Sequence, residues 1–199
     1  MVVVQALDIR SQIVKLVVVD GISGTGKTTV ARRLSKELNC AVFSKDLYKE
    51  RVFDQLGKKP SLRQWARINK QSWQVLYDKI SESLDTDATL IVDGDFKHEQ
   101  IAKISAVIRD DTTIIELYCF ARNLIPLKRY IRRSKSEERH TGHLDRVWYV
   151  SVLAAIIVTK LGINICGPFE LKNTALRIDT TNFDTIRYDE IAQYVHSKQ

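Results

Sequence analysis

Eight consecutive residues, Gly21-Ile22-Ser23-Gly24-Thr25-Gly26-Lys27-Thr28, carry glycines, a lysine and a hydroxyl at the spacing of a loop that wraps phosphate. Glycines permit the tight turns that aim successive backbone N–H groups at an anion. Lys27 brings positive charge to the β- and γ-phosphates of a nucleotide, and the Thr28 hydroxyl can ligate Mg2+. Gly21, Ser23, Gly24, Thr25, Gly26, Lys27, Thr28 and Thr29 are therefore expected to hold ATP with Mg2+. A pattern match alone is weak, because a glycine-rich turn can bind nothing. Here a β-branched run, Ile13–Val19, precedes the loop and an amphipathic stretch, Lys27–Leu38, follows it. That order presents the positive end of a helix dipole to the anion.

Phosphate binding does not name a reaction, so acids and bases elsewhere must. Asp46 follows the apolar run Ala41–Phe43, and Asp93 and Asp95 follow Leu90-Ile91-Val92. Asp46 can accept a proton from an attacking hydroxyl, or cap a helix starting at Leu47. Asp93 can hold Mg2+ through water or position substrate; Asp-Gly after a strand is also an ordinary turn. Seven basic residues lie between Arg122 and Arg139, among which Lys128, Arg129 and Lys135 read as a solvated helix face. No Asn-Lys-x-Asp guanine-reading pattern and no Leu-Ser-Gly-Gly transporter signature is present.

Phe43-Ser44-Lys45-Asp46-Leu47-Tyr48-Lys49 resembles a segment of P-loop kinases that include polynucleotide 5′-kinases, zeta-toxin-like kinases and chloramphenicol phosphotransferase. The resemblance implies that Asp46 takes the proton of the acceptor hydroxyl. Lys49 stands where that group carries a substrate-contacting arginine, keeping the charge but losing the bidentate fork. Asp93-Gly94-Asp95-Phe96 resembles the group's acidic-Gly-Asn-Phe segment, with Asp95 in place of asparagine as a substrate contact. Arg133 through Asp145 resembles its lid, Arg-x(n)-Arg-His-Pro-Gly-His-x-Asp, with Thr141 replacing proline. Arg133 and Arg139 are thereby implied as transition-state arginines, with Arg132 an alternative, and a lid at about 134–145. His140 and His143 are read as substrate contact or lid packing, since a metal pair lacks further ligands at suitable spacing. Leu176–Phe183 resembles the last strand and the loop passing the adenine. The likeness runs from about Leu16 to Val195.

These residues need a scaffold that gathers loops at one end of a sheet. Apolar runs at Ile13–Val19, Ala41–Phe43, Thr89–Val92, Thr113–Cys119 and Ala175–Ile178 alternate with helical patterns at Lys27–Leu38, Leu47–Leu56, Ser61–Leu84, Ile101–Ile108, Leu124–Arg133, Arg146–Leu161 and Thr185–His196. The alternation predicts an α/β protein: one three-layer α/β/α domain over 1–199 with a five-stranded, mainly parallel sheet. Asn39 is a helix stop, Ser61 an N-cap, and Trp65, Ile68, Trp73, Leu76 and Ile80 form an apolar helix side. Ser134–Asp145 lacks apolar period and reads as a mobile loop.

Composition narrows the surroundings. With 199 residues, 44% apolar and 28% charged, the chain is neither disordered nor collagen-like. A net charge of +7 favours anionic partners without choosing among nucleotides, phosphorylated metabolites and RNA ends. Cys40, Cys119 and Cys166 are odd in number and widely spaced, the usage of reduced thiols in a cytoplasmic protein. Met1–Ala6 lacks a basic leader, and Val147–Val158 falls short of the roughly twenty residues that span a bilayer. The expected function is transfer of the ATP γ-phosphate to a hydroxyl of a small molecule. A polynucleotide or nucleoside 5′-hydroxyl kinase and a non-catalytic ATP-binding switch are the alternatives.

Overall fold

The structure, a computed structural model, describes residues 14–56, 60–84, 89–137, 139–160, 168–169 and 175–198. Its strands are β1 (Lys15–Asp20), β2 (Ala41–Ser44), β3 (Thr89–Asp93), β4 (Thr113–Phe120) and β5 (Leu176–Asp179). Its helices are α1 (Lys27–Leu38), α2 (Lys45–Leu56), α3 (Leu62–Leu84), α4 (His98–Val107), α5 (Ile125–Ser134), α6 (Asp145–Lys160) and α7 (Tyr188–Ser197). The five strands form one sheet in the order β2-β3-β1-β4-β5, and every neighbouring pair is parallel. The expected sheet was mainly parallel; the observed one is wholly so.

Parallel strands joined through helices have both faces covered, which is why their apolar runs are continuous. Side-chain alternation then splits one run into two cores. Val17, Val19, Ile91, Ile115 and Leu117 pack with Val30 and Leu34 of α1 and Ile191 and Val195 of α7. Leu16, Val18, Leu90, Val92 and Ile114 pack with Leu76, Ile80 and Leu84 of α3 and Ile101 and Ile104 of α4. Each fully buried aliphatic side chain contributes roughly 1.5–3 kcal/mol before chain entropy is counted.

The sheet positions the chemistry by its order. β1 lies between β3 and β4, so successive connections leave β1 in opposite directions and open a crevice at the strands' C-terminal ends. Asp20 ends β1, Asp93 ends β3, and Lys45 and Asp46 follow the end of β2.

Local signals shaped the ends of the elements. Asn39 closes α1 with φ of 47°, and its N–H reaches back to Lys36 O and Ser35 O. Ser61 and Gln64 form a reciprocal cap at α3: the Ser61 N–H donates to Gln64 Oε1 at 2.9 Å, and Gln64 N–H donates to Ser61 Oγ at 3.3 Å. α2 begins at Lys45, so Asp46 lies in the first turn rather than at the N-cap. Its carboxylate still faces the positive end of the helix.

The segment expected as a mobile loop is largely built. Thr141–His143 forms a 3-10 turn that packs on α2. On α3, Ile68, Leu76, Tyr77 and Ile80 are buried, whereas Trp65 and Trp73 are only partly buried, Trp73 packing against the edge of the core. Burial pushes the Cys119 thiol up to about 12. Cys166 lies outside the described residues. Among the described residues no helix is long and apolar enough to cross a membrane.

Candidate active site

The glycine loop joins β1 to α1 and is braced from outside. Gly26 is the N-cap of α1 with φ of 86°, and a Cβ there would stand 2.4 Å from the Phe183 ring. Only glycine allows both the left-handed backbone and that contact. Phe183 is covered in turn by the Arg129 guanidinium, 4.4 Å from the ring centroid, which donates to Thr180 O at 2.9 Å. Arg129 was expected on a solvated face; instead it locks the loop after β5 against the phosphate loop. Thr25 is also internal. Its hydroxyl donates to Ile22 O at 2.7 Å, its N–H bonds Ile22 O, and its own carbonyl accepts from Thr180 Oγ1. The Thr25 hydroxyl and N–H thus shape the loop rather than face an anion.

A narrow recess above the loop is lined by Ser23, Gly24, Gly26, Lys27, Thr28, Thr29, Asp46, Asp93, Gly94, Asp95 and Arg133. Gly21 instead borders the larger recess beside it. Lys27 Nζ donates to Ile22 O at 3.2 Å and pairs with Asp95 Oδ1 at 2.6 Å. Burial works against its charge, but Asp95 and Asp93 outweigh it and hold the ammonium above its usual range.

Thr28 Oγ1 donates to Asp93 Oδ2 at 2.8 Å. The other Asp93 oxygen is buried with no hydrogen-bond partner among the described residues, and burial raises the carboxyl's pKa. A hydroxyl and a carboxylate oxygen, side by side and under-satisfied, are a donor set that fits a hard divalent cation.

The second recess, about 500 Å3, adjoins the first. Trp65, Asn69 and Trp73 line it at i, i+4 and i+8 along α3, facing Lys45 and Lys49 of α2. Lys45 Nζ lies 5.0 Å from the Trp73 ring centroid and Lys49 Nζ 5.4 Å from that of Trp65. Both ammonium groups bond one oxygen of Asp46, at 3.2 and 2.9 Å. Burial favours the neutral acid, but Lys45 and Lys49 outweigh it and hold the Asp46 carboxyl well below the ordinary carboxylate range. Burial, with Lys45 alongside, lowers Lys49.

The segment 139–145 closes the far side. Arg139 makes two hydrogen bonds to Asp145, Nε to Oδ2 at 2.6 Å and Nη2 to Oδ1 at 3.0 Å. It was expected to stand free for a phosphoryl group; here its fork is committed to Asp145. Arg133 borders both recesses, whereas Arg132 borders neither, which resolves the helix register. Among the described residues no carboxylate pairs with Arg133; its guanidinium lies 5.8 Å from the Tyr130 ring centroid.

His140 bonds Asp54 Oδ1 at 2.9 Å through Nε2, accepts from Gly142 N–H through Nδ1, and stacks on Phe53. This is a packing role on α2, away from the position proposed for a substrate contact. His143 lines the recess instead, bonded to Glu50 Oε1 at 2.5 Å.

Sequence reasoning overlooked Asp20. It is fully buried; Oδ1 accepts the Phe96 N–H at 3.1 Å, and Oδ2 has no hydrogen-bond partner of ordinary geometry among the described residues. Burial raises its pKa to about 7 against the opposing pull of Lys27. A carboxylate directly after the apolar run Leu16–Val19 was the available signal. Lys45, Trp65, Asn69 and Trp73 were overlooked as well, although their spacing of four residues was legible.

The AAA_33 family model, described as an AAA domain, matches residues 16–148. No curated protein matches the sequence. A candidate kinase from Chloroflexus aurantiacus superposes with a TM-score of 0.79 at 26% identity, covering 94% of this chain and 100% of its own. A sugar kinase from a Janibacter species gives 0.55 at 17% identity, covering 90% and 91%. The Mycobacterium tuberculosis APS kinase, solved with AMPPNP and APS, gives 0.52 at 18% identity, covering 92% and 95%. The last two bear on the fold alone.

Proposed function

The chain belongs to the AAA domain family and has a P-loop kinase fold, and we propose that it transfers the γ-phosphate of ATP to a hydroxyl of a small-molecule acceptor. One observation carries this. The phosphate recess and the larger recess share Ser23, Asp46, Asp95 and Arg133 as common lining. A donor phosphate and an acceptor hydroxyl can therefore meet over one set of side chains, as in-line transfer requires.

Loop N–H groups and Lys27 hold the β- and γ-phosphates. Thr28 and Asp93 would hold Mg2+, which would offset phosphate charge when bound. Asp46 orients the acceptor hydroxyl with its ionised carboxylate. The hydroxyl oxygen forms the new bond to Pγ, the bond from Pγ to the bridging oxygen breaks, ADP leaves, and the proton passes to Asp46. A carboxylate held so far below neutrality is a weak base, but a loose phosphoryl transition state asks little of it. Arg133 reaches the transferring group, and Arg139 fixes the 139–145 segment through Asp145. That segment, with the rest of 134–145, acts as the lid of a single domain over 1–199. The protein works in the cytoplasm.

The Lys–Trp pairs favour a second acceptor class, a nucleoside or oligonucleotide 5′-hydroxyl, since bases stack on tryptophan. Labelled ATP offered with sugars, hydroxy acids, nucleosides, antibiotics and 5′-hydroxyl oligonucleotides distinguishes the classes. Transfer should require Mg2+ and fall by about three orders of magnitude or more in Lys27→Ala. Unchanged ATP binding and turnover in that variant refutes the proposal. Nucleotide binding with no transfer to any acceptor would instead indicate a non-catalytic switch.

A further inference from the structure

Asp95 is a departure from the kinase-like pattern of the sequence, and its position gives the departure a consequence. Asp95 borders both recesses, and its side chain is half exposed. Its carboxylate pairs with Lys27, the residue that must bind phosphate, at 2.6 Å. The loop that carries it is held in place on two sides. Gly94 N–H reaches Val19 O at 3.5 Å, and Phe96 N–H is fixed by Asp20. Asp95 can thus turn on its side-chain bonds while its backbone stays put.

We propose that Asp95 is a removable counter-ion that occupies Lys27 until phosphate arrives and then passes to Lys45, coupling nucleotide loading to the acceptor recess. The proposal rests on the phosphate-site reading above. A buried ammonium without an anion is costly, so Lys27 needs a partner before nucleotide binds. Phosphate competes for the same ammonium, and a carboxylate and a phosphate cannot both keep it without repelling each other. Displaced, Asp95 retains its charge and needs a cation within reach. Lys45 lines the larger recess together with Asp95, and it is bound only at 3.2 Å to Asp46. Lys45 Nζ also covers the Trp73 face, and Trp73 touches the same loop through Phe96, with ring centroids 5.4 Å apart. Handover to Asp95 draws Lys45 from Asp46 and from Trp73, opening both to an acceptor. Nucleotide and acceptor then bind in a preferred order, nucleotide first.

The test compares wild type with Asp95→Asn and Asp95→Ala, using ADP in EDTA so that no divalent cation contributes. Asp95→Asn preserves shape while removing the competing charge, so ADP should bind about ten-fold tighter. In a Trp65→Phe background, ADP should change tryptophan fluorescence in the parent, and Trp73→Phe should remove that change. Asp95→Asn should remove it too, despite the tighter binding. Equal or weaker ADP affinity in both Asp95 variants, or a Trp73 signal that survives both, overturns the inference. A wild-type chain that binds no ADP overturns the phosphate-site reading itself, which is a different result from tight binding indifferent to Asp95.

Discussion

Single residues in this crevice act through charge rather than size. Asp20, Asp93, Asp95 and Asp46 surround Lys27, Lys45 and Lys49, and each carboxylate settles differently according to its nearest ammonium. Asp46, bonded to two lysines, is held ionised; Asp20, whose burial outweighs the pull of Lys27, is raised to about 7. The latter has a thermodynamic consequence. Between the ordinary aspartate value of 3.8 and about 7, folded Asp20 keeps a proton that the unfolded chain has lost. Stability from this group therefore falls as pH rises through that window, and above it the buried charge is fully felt. Asp20→Asn keeps the acceptor for Phe96 N–H and removes the charge. Denaturant melts should find it more stable than the parent by up to about 4 kcal/mol at pH 8, with little difference at pH 4.

At the scale of elements, three pieces grip the site. α1 delivers Lys27 and Thr28, the end of β3 and the loop after it deliver Asp93 and Asp95, and the turn Thr141–His143 clamps α2. That turn is fastened by His143 to Glu50 and His140 to Asp54, two carboxylates one helical turn apart. Gly142 sits so close to Phe53 that an added Cβ would lie 2.0 Å from its ring. Gly142→Ala must therefore lift the turn off α2 while leaving the sheet intact. Trypsin should cut between residues 132 and 139 faster in this variant than in wild type, with the far-UV spectrum unchanged. An unaltered cleavage rate would show that the turn does not govern the segment.

The whole molecule supplies the crevice and the sign of its field. A parallel sheet with β1 at its centre brings loops remote in sequence to one rim, and a net charge of +7 favours anionic ligands. A nucleotide that binds the folded chain and not the unfolded one must stabilise the whole fold. At a hundred-fold excess over its Kd, ADP with Mg2+ should add about 2.7 kcal/mol, read as a raised Tm. Lys27→Ala should abolish the rise without lowering the ligand-free Tm to the same extent.

The amino-acid order alone determined the phosphate loop, the α/β class and most element boundaries, because these depend on local patterns. Glycine spacing, β-branched runs and capping residues such as Ser61 and Asn39 act over a few positions. Tertiary structure alone decided which side chains confront one another. Arg129 reads as surface until Phe183, far along the chain, lies under it. His140 reads as substrate contact or lid packing until Asp54 and Phe53 fix it on α2, and Trp65 and Trp73 read only as an apolar helix side until Lys49 and Lys45 face them. Periodicity distinguishes one side of a helix from the other but does not say what lies opposite. The ionisation of Asp46 and Asp95 depends on ammonium groups brought near by the sheet, and that of Asp20 on its burial, since desolvation and electrostatic coupling follow position in space and not separation along the chain.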